Sequence, residues 1–403
     1  MPVTGWGGVT LQVDISFTGS TWVDVTGWVR GMQLDEAGRD REQDRFRGGR
    51  CLLTLDNRDG RFSPFNASSP YSPNVLPRRR CRVSLTWSGT TYRRFIGWNE
   101  DWVEEHPEYG LDNVVTVEFF DGFSLLAGVD GYEQSPQGLD EDVAARISRI
   151  LTNAGSPGGI TSSVSFMQAE TLQATTLARD ALTETYVTSD SVGADAWMAV
   201  TGADTPVLEV WGRYARAINA RSTASQGTWG DSGSELRYSG IQLSTGADLL
   251  ANEAAFARAG GTAQVSSDSA SITAYQRRRV ARSDLVVQSD ATVKALADWT
   301  VLRFAEPDTR VVSIEVRPQV SPSTIWPVLY ATRLHDRYRV IRRALGSYTV
   351  DEQVFVDGVS HAVTPDNWTT TLRFCSAAPF DALGALMIIG TGLVVNDGKV
   401  FYP

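Results

Sequence analysis

EAGRDREQDRFRGGRCLLTLDNRDGRFSPFN, residues 36–66, passes from a charge-dense loop into a strand and then into a turn-rich excursion. The loop, Arg39 to Arg50, mixes both signs of charge. Cys51–Leu55 is a short apolar strand. The chain leaves it through Asp56-Asn57-Arg58-Asp59-Gly60, a turn composition, and reaches Phe62, Pro64 and Phe65. A charged loop this long has two readings. One is a solvated hairpin tip, whose surface ion pairs contribute about 0–1 kcal/mol each. The other is a surface built to meet another chain. Alternating signs do not make the one-sign patch that phosphate needs, and they suit reciprocal ion pairs. Arg39, Asp40, Arg41, Glu42, Asp44, Arg45, Arg47 and Arg50 are therefore candidate subunit-contact residues.

Upstream, Val9, Leu11, Val13, Ile15 and Phe17 alternate along a strand. Trp22–Val25 and Trp28–Val29 follow, ending at Met32 and Leu34. Downstream, residues 56–80 hold Pro64, Pro70, Pro73 and Pro77 and predict an extended run over the surface. Arg82–Trp87 and Thr91–Trp98 predict a hairpin around Ser88-Gly89, the second strand runs on through Trp102-Val103, and Val114–Phe120 is another alternating strand. Residues 1–130 thus read as an antiparallel barrel or sandwich.

The texture then changes. Residues 139–151 predict an amphipathic helix with Asp140, Glu141 and Asp142 in its first turn. A second helix is expected over 171–184. Strands are expected at 186–188, 196–200 and 207–211, the last continuing to Ala215. Residues 131–222 read as an inserted α+β unit. Ser222 to Ser234 is small-residue linker. The second β-rich region, 235–380, has strands at 239–243, 253–259, 263–267, 271–275 and 311–317. Further strands are expected at 326–332, 337–342, 347–356, 359–363 and 369–375. Its helix, 290–305, is capped by Ser289 or Asp290 and closed by Pro307. A tail, 381–403, is apolar and glycine-rich. No clear internal repeat stands out in the residues.

A chain of 403 residues with 42% hydrophobic and 21% charged residues is a folded protein of two to four domains. Twelve Trp and 36 Gly agree with β structure rich in turns. A net charge of −10 argues against a nucleic-acid-coating surface. The runs Arg78-Arg79-Arg80 and Arg277-Arg278-Arg279 are short and suit solvent or an interface. Lys294 and Lys399 are the only lysines. Arg suits bidentate pairing at interfaces, and a GC-rich coding sequence explains the bias equally. Cys51, Cys81 and Cys375 have no CxxC spacing and build neither a disulfide framework nor a metal site. The N-terminus lacks a signal pattern, and the apolar run 383–395 is too short to span a bilayer, so no membrane anchor is expected.

Four constellations bear on chemistry. Gly230-Asp231-Ser232-Gly233 copies the nucleophile motif of trypsin-like proteases, but a serine needs a histidine base and a carboxylate. His106, in Glu104-Glu105-His106-Pro107, does not resemble that family's histidine motif, and GDSG reads as linker. His106, His335 and His361 have no metal-spaced partners. Glu104-Glu105 and Asp140-Glu141-Asp142 are conceivable glycosidase carboxylates, but a turn and a helix start are sufficient explanations of them. There is no P-loop, dinucleotide fingerprint or EF-hand loop. No catalytic residue, cofactor or metal is expected.

The order of several motifs resembles the minor tail proteins of long-tailed phages of high-GC bacteria. They are Trp22-Val23-Asp24-Val25-Thr26, then Gly38-Arg39-Asp40-Arg41-Glu42, then Leu53-Thr54-Leu55-Asp56-Asn57-Arg58-Asp59-Gly60-Arg61-Phe62. Phe95-Ile96-Gly97-Trp98 and Val117-Glu118-Phe119-Phe120-Asp121-Gly122-Phe123 follow. Later come Asn252-Glu253, Asp268-Ser269-Ala270-Ser271, Val356-Asp357-Gly358-Val359-Ser360-His361 and Thr364-Pro365-Asp366-Asn367-Trp368. The likeness covers most of residues 10–376, and each motif alone is loose.

The resemblance implies a tail-tip hub, similar to the baseplate hub of contractile tails. The fold it implies is mainly β with an α+β insertion. Two tail-tube-like antiparallel β-barrel or sandwich domains would be joined by smaller α+β domains. Three chains would present six tube-like domains, matching a sixfold tube above and a threefold tip below. The implied partners are copies of itself, the distal tail ring, the tape measure protein and receptor-binding or other tip proteins. DNA would pass through the lumen without specific binding. The implied location is the virion tail tip, assembled in the host cytoplasm. Arg39 to Arg50 would then cross to an adjacent tube domain. No peptidase or lysozyme-like extension follows, which puts wall degradation by this chain in doubt. The alternatives are a hexameric distal ring docking receptor-binding proteins, and a cell-wall hydrolase or carbohydrate-binding tail protein.

Overall fold

The computed structural model describes residues 8–107, 112–130, 133–202, 204–344 and 348–381, and the backbone of 386–389 and 392–395. The first strands are β1 (Val9–Ser16), β2 (Val23–Asp24), β3 (Val29–Asp35) and β4 (Arg50–Asp56). They are followed by β5 (Arg80–Trp87), β6 (Thr90–Glu105) and β7 (Val114–Phe120). In β4 the alternate residues Cys51, Leu53 and Leu55 are buried, as a period of two requires. Ser88 and Gly89 both take positive φ, which lets a two-residue turn join β5 to β6. The excursion between β4 and β5 has neither helix nor strand, as its prolines imply. It still contributes to the core: Phe62 and Val75 are buried, and Tyr71 stacks on Phe17 with ring centroids 4.1 Å apart.

The middle of the chain holds α1 (Gly122–Leu126), α2 (Val143–Asn153), β8 (Thr161–Ser165) and α3 (Ala181–Val192). Next come β9 (Asp195–Val200), β10 (Pro206–Trp211), α4 (Ala215–Ile218) and α5 (Ala220–Thr223). The structure corrects several expectations here. Residues 140–142 precede α2 rather than form its first turn. Asp142 is the N-cap, accepting from the Ala145 N–H at 2.7 Å, and Glu141 pairs with Arg146 and Arg149. The helix expected from Thr171 starts only at Ala181, because 172–175 run extended and bridge to Glu141, Gln137 and Val287. The strand expected at 186–188 lies inside α3. There the Thr185 and Ser189 hydroxyls donate to carbonyls four residues back, which satisfies polar groups on a buried helix. β10 stops at Trp211, and Gly212 passes so close to the Phe166 carbonyl that a side chain has no room.

The last part opens with β11 (Ser225–Gly230), β12 (Leu236–Arg237), β13 (Gly240–Gly246), β14 (Glu253–Arg258), β15 (Gln264–Ser267) and α6 (Ser269–Tyr275). β16 (Arg279–Leu285), α7 (Asp290–Phe304), β17 (Asp308–Val316) and α8 (Pro322–Ala331) follow. It closes with β18 (Arg337–Arg343), β19 (Thr349–Val363), β20 (Trp368–Ser376) and α9 (Ala378–Asp381). Residues 222–234 are not a linker: β11 runs through them, and Trp229 is fully buried beside Tyr338. Residues 271–275 are helix because Asp268 caps the Ser271 N–H at 2.9 Å. Residues 326–331 are helix because Pro322 sits in the first turn, and Trp326 and Tyr330 stack one turn apart with centroids 5.4 Å apart. β16 has no counterpart in the sequence reading. The expected strands 347–356 and 359–363 are one strand with a bulge between Val356 and Gly358. α7 starts at its Ser289 cap as expected. Within the expected tail, β21 (Leu386–Ile389) and β22 (Gly392–Val395) pair with each other, and the rest lies outside the described residues.

Fourteen strands form one large curled sheet. Seven come before α1 and seven after α5, and the two sets have the same spatial order. Numbered along the chain within each set, that order is second, first, fifth, sixth, seventh, fourth, third. The first set reads β2-β1-β5-β6-β7-β4-β3 and the second β12-β11-β18-β19-β20-β17-β13. The sets differ at one end: β1 is antiparallel to its neighbours, whereas β11 is parallel to its own. They join where β3 pairs with the end of β19, Asp35 opposite Ser360 and Met32 opposite Val363. One apolar core runs beneath both sets, from Val9 to Phe374. The repeat that sequence did not reveal is thus present as topology.

Candidate functional site: the charged loop

The loop 36–49 connects the third and fourth strands of the first set. Its entry is shaped by glycine. A Cβ on Gly38 would lie 2.9 Å from the Gly358 Cα, so two backbones meet here that no side chain could separate. That approach lets the Arg39 N–H donate to the Asp357 carbonyl at 2.9 Å. The β19 bulge re-aims Asp357 toward the loop. The exit is shaped by Gly48 and Gly49. Both pass against Asp121, whose carboxylate accepts the Gly49 and Phe123 N–H groups. Burial pushes the Asp121 carboxyl up to about 7 despite these donors.

Between these anchors the loop turns part of itself inward. Arg39 is buried and grips Asp357 with two nitrogens, at 3.0 and 3.2 Å, and Asp195 with the third at 3.0 Å. Arg216 is also buried, 2.8 Å from Asp357, 3.4 Å from Asp195 and 3.3 Å from Glu42. Arg303, on α7, closes the set on Glu42. Three arginines thus meet three carboxylates, and the cluster is neutral. Burial alone would raise the Asp195 carboxyl, but Arg39, His335 and Arg216 hold it well below the usual range. Asp357 is likewise lowered against burial by Arg39 and Arg216. His335 lies 3.1 Å from Asp195, yet burial and then Arg216 lower it to about 4. A neutral imidazole keeps the balance of charge. Phe46 caps the cluster, 5.6 Å from Trp197 between ring centroids, with the Arg39 guanidinium 4.5 Å above its own ring.

The remaining loop residues face outward. Asp40 pairs with Arg47 and Arg41 with Asp44, all local and solvent-screened. Arg45 reaches Asp190 on α3 at 2.6 Å, and Arg50 reaches Glu118 at 2.7 Å. Of the eight candidates, then, Arg39 and Glu42 are buried in contacts within the chain, and Arg45 and Arg50 pair with other elements of it. Asp40, Arg41, Asp44 and Arg47 are paired only among themselves. The partners Asp195, Arg216, Arg303 and Asp357 were not singled out from sequence as a site. Their signal is a lone charge inside an apolar run, as in Val354-Phe355-Val356-Asp357-Gly358-Val359.

A cavity of about 150 Å³ lies beside the loop, lined by Arg45, Tyr186, Asp190, Arg282 and Trp299 among others. That is small against the usual 300–1,000 Å³ of ligand pockets. The other candidates are engaged in structural contacts. Asp231 binds Arg342 and Arg343, and the Ser232 N–H donates to Glu235. Glu104 pairs with His106 at 3.2 Å, and His361 lies between Thr370 and Glu36. Among the described residues no cluster has the makings of a metal site. Cys51, Cys81 and Cys375 are buried free thiols.

The sequence matches no protein-family model and no curated protein sequence. The fold, however, is similar to that of tail proteins, one of them from a prophage, and of a chain in a PdpA–VgrG complex. A tail protein from Neisseria meningitidis is similar with a TM-score of 0.60 and 12% identity, over 91% of this chain and 96% of that one. The 43 kDa tail protein of prophage MuSo2 from Shewanella oneidensis is similar with a TM-score of 0.59 and 12% identity, over 92% and 98%. A chain of the lidded Francisella PdpA–VgrG complex gives a TM-score of 0.52 at 10% identity, over 92% of this chain and 53% of that one.

Proposed function

We propose that this chain is a non-enzymatic structural subunit of a bacteriophage tail tip, a homotrimeric hub joining a sixfold tail tube to a threefold tip. The observation that carries the reading is a fold shared along nearly the whole length of two tail proteins, one of them from a prophage. The repeated strand order supports the copy number. A chain with two tube-like units needs three copies to meet six positions, whereas a chain with one needs six. On this reading residues 1–130 hold the first tube-like unit, 225–380 the second, which begins at β11 rather than at residue 235, and 131–222 is an insertion. The distal tail ring lies above, the tape measure protein within, and receptor-binding or other tip proteins below. DNA slides through without specific binding, which a net charge of −10 favours. The protein sits in the virion tail tip and is assembled in the host cytoplasm. The outward charges Asp40, Arg41, Asp44 and Arg47 contact the adjacent tube unit.

The test is quantitative mass spectrometry of purified phage tails carrying this chain. The expected result is three copies per tail. Six copies would favour a distal ring, and absence from the particle would refute the reading.

A further inference from the structure

The two strand sets share an order, so each position in one has a counterpart in the other. The join within the chain uses two such positions. The third strand of the first set, β3, adds to the outer edge of the sixth strand of the second set, β19, near its end. The counterparts are β13 and the end of β6. β13 pairs with β17 on one side, and no other strand among the described residues pairs with it. β6 pairs with β5 as far as Trp98; beyond the bulge, Trp102 to Glu105 pair with β7 alone. β19 is built alike. Its first half pairs with β18, its second half with β20, and β3 covers the edge left over.

The exposures follow from this. Met32, covered by β19, is 2% exposed, while Leu243, its counterpart counted from the strand end, is 39% exposed. His361 is 4% exposed, and its counterpart Val103 is 50% exposed. Apolar side chains on an unpaired edge are an association hazard that proteins blunt or use. β13 carries no proline and no charge, whereas the β6 edge carries Glu104, paired with His106, and Glu105.

We infer that β13 of one copy adds antiparallel to the Trp102–Glu105 edge of β6 of the next copy, repeating between chains the β3–β19 join made within each chain. The partner is a second copy of this chain, and the contact is head-to-tail, so it propagates until it closes. This rests on the hub reading for its closure at three copies. Counting from the strand ends, Leu243 faces Glu105 and Ser244 faces Glu104.

The test places cysteines at Leu243 and Glu105 and applies a short bismaleimide, which tolerates a slip of two residues. The native cysteines are buried and leave the background low. The double variant is expected to form covalent dimers and trimers. Each single variant alone forms none, and a mixture of the two single variants stops at dimers. Leu243→Lys, at an exposed site, is expected to leave the circular dichroism spectrum unchanged and to weaken association by about tenfold or more. Trimers by native mass spectrometry that neither cross-link nor respond to Leu243→Lys overturn the pairing and leave the hub reading standing. A chain that stays monomeric at every concentration also overturns the pairing, while the hub reading is judged separately by its copy number in tails.

Discussion

Replacing Asp357 with Asn removes one charge from a balanced cluster and keeps the side-chain volume. Arg39 then retains only the Asp195 carboxylate, and Arg216 retains carboxylates only at 3.3 and 3.4 Å, beside the Cys375 sulfur at 3.0 Å. Removing one partner from a buried ion pair costs about 3–5 kcal/mol, because the other charge is left buried and unpaired. Asp195 is partly open to solvent and screens some of the deficit, which places the expected loss near the lower end, about 3 kcal/mol. Urea unfolding followed by circular dichroism measures it. The control is Arg41→Ala, whose exposed pair with Asp44 contributes only about 0–1 kcal/mol. The double change Asp357→Leu with Arg39→Met should cost less than the sum of its single changes, since no orphaned charge remains. If Asp357→Asn costs no more than Arg41→Ala, the loop is not anchored by this cluster and the reasoning fails.

Four further outcomes are expected. His335, about 4 when folded and about 6.5 when unfolded, contributes stability above pH 6.5 that is lost as pH falls toward 4. His335→Gln should remove up to about 3 kcal/mol of that dependence in thermal or urea melts. Asp121 has the opposite sign. Its carboxyl, about 7 when folded, contributes below pH 4 and loses that contribution as pH rises to 7, so Asp121→Asn should narrow the gap between stability at pH 5 and pH 8. Trp229→Ala should cost about 3–5 kcal/mol by opening a core cavity, whereas Ser232→Ala in the same supposed linker should change the urea midpoint little. Arg41→Glu with Arg47→Glu, both exposed, should impair tail assembly on electron microscopy while leaving the isolated chain's melt unchanged.

Much of the first strand set was legible because alternation and turn chemistry agree there. β1, β4, β5 and β7 follow their apolar periods, and Ser88-Gly89 marks the hairpin into β6. The errors came where tertiary contacts override local composition. Thr171 to Thr176 look like a helix face and are held extended by bridges to Glu141 and Val287. Thr185 and Ser189 look like strand residues and are made helical by hydroxyls bonding back along α3. The small residues around Trp229 hid a strand whose one large side chain anchors it. The loop's charge was visible, but its division was not. Arg39 and Glu42 turn inward because their partners, Asp357, Arg216 and Arg303, lie 174 to 318 residues away along the chain. No local pattern reports such a pairing. The duplicated strand order left no trace in the residues because a fold order is preserved by periodicity and burial, which many sequences satisfy.

The hub reading is tested most directly by a cryo-electron microscopy reconstruction of the assembled tail tip without imposed symmetry. It should show three copies of this chain forming a ring of six similar β units. β3–β19 joins within chains should alternate with β13–β6 joins between them. Six copies with one unit each facing the lumen, or a single copy outside any ring, would contradict it.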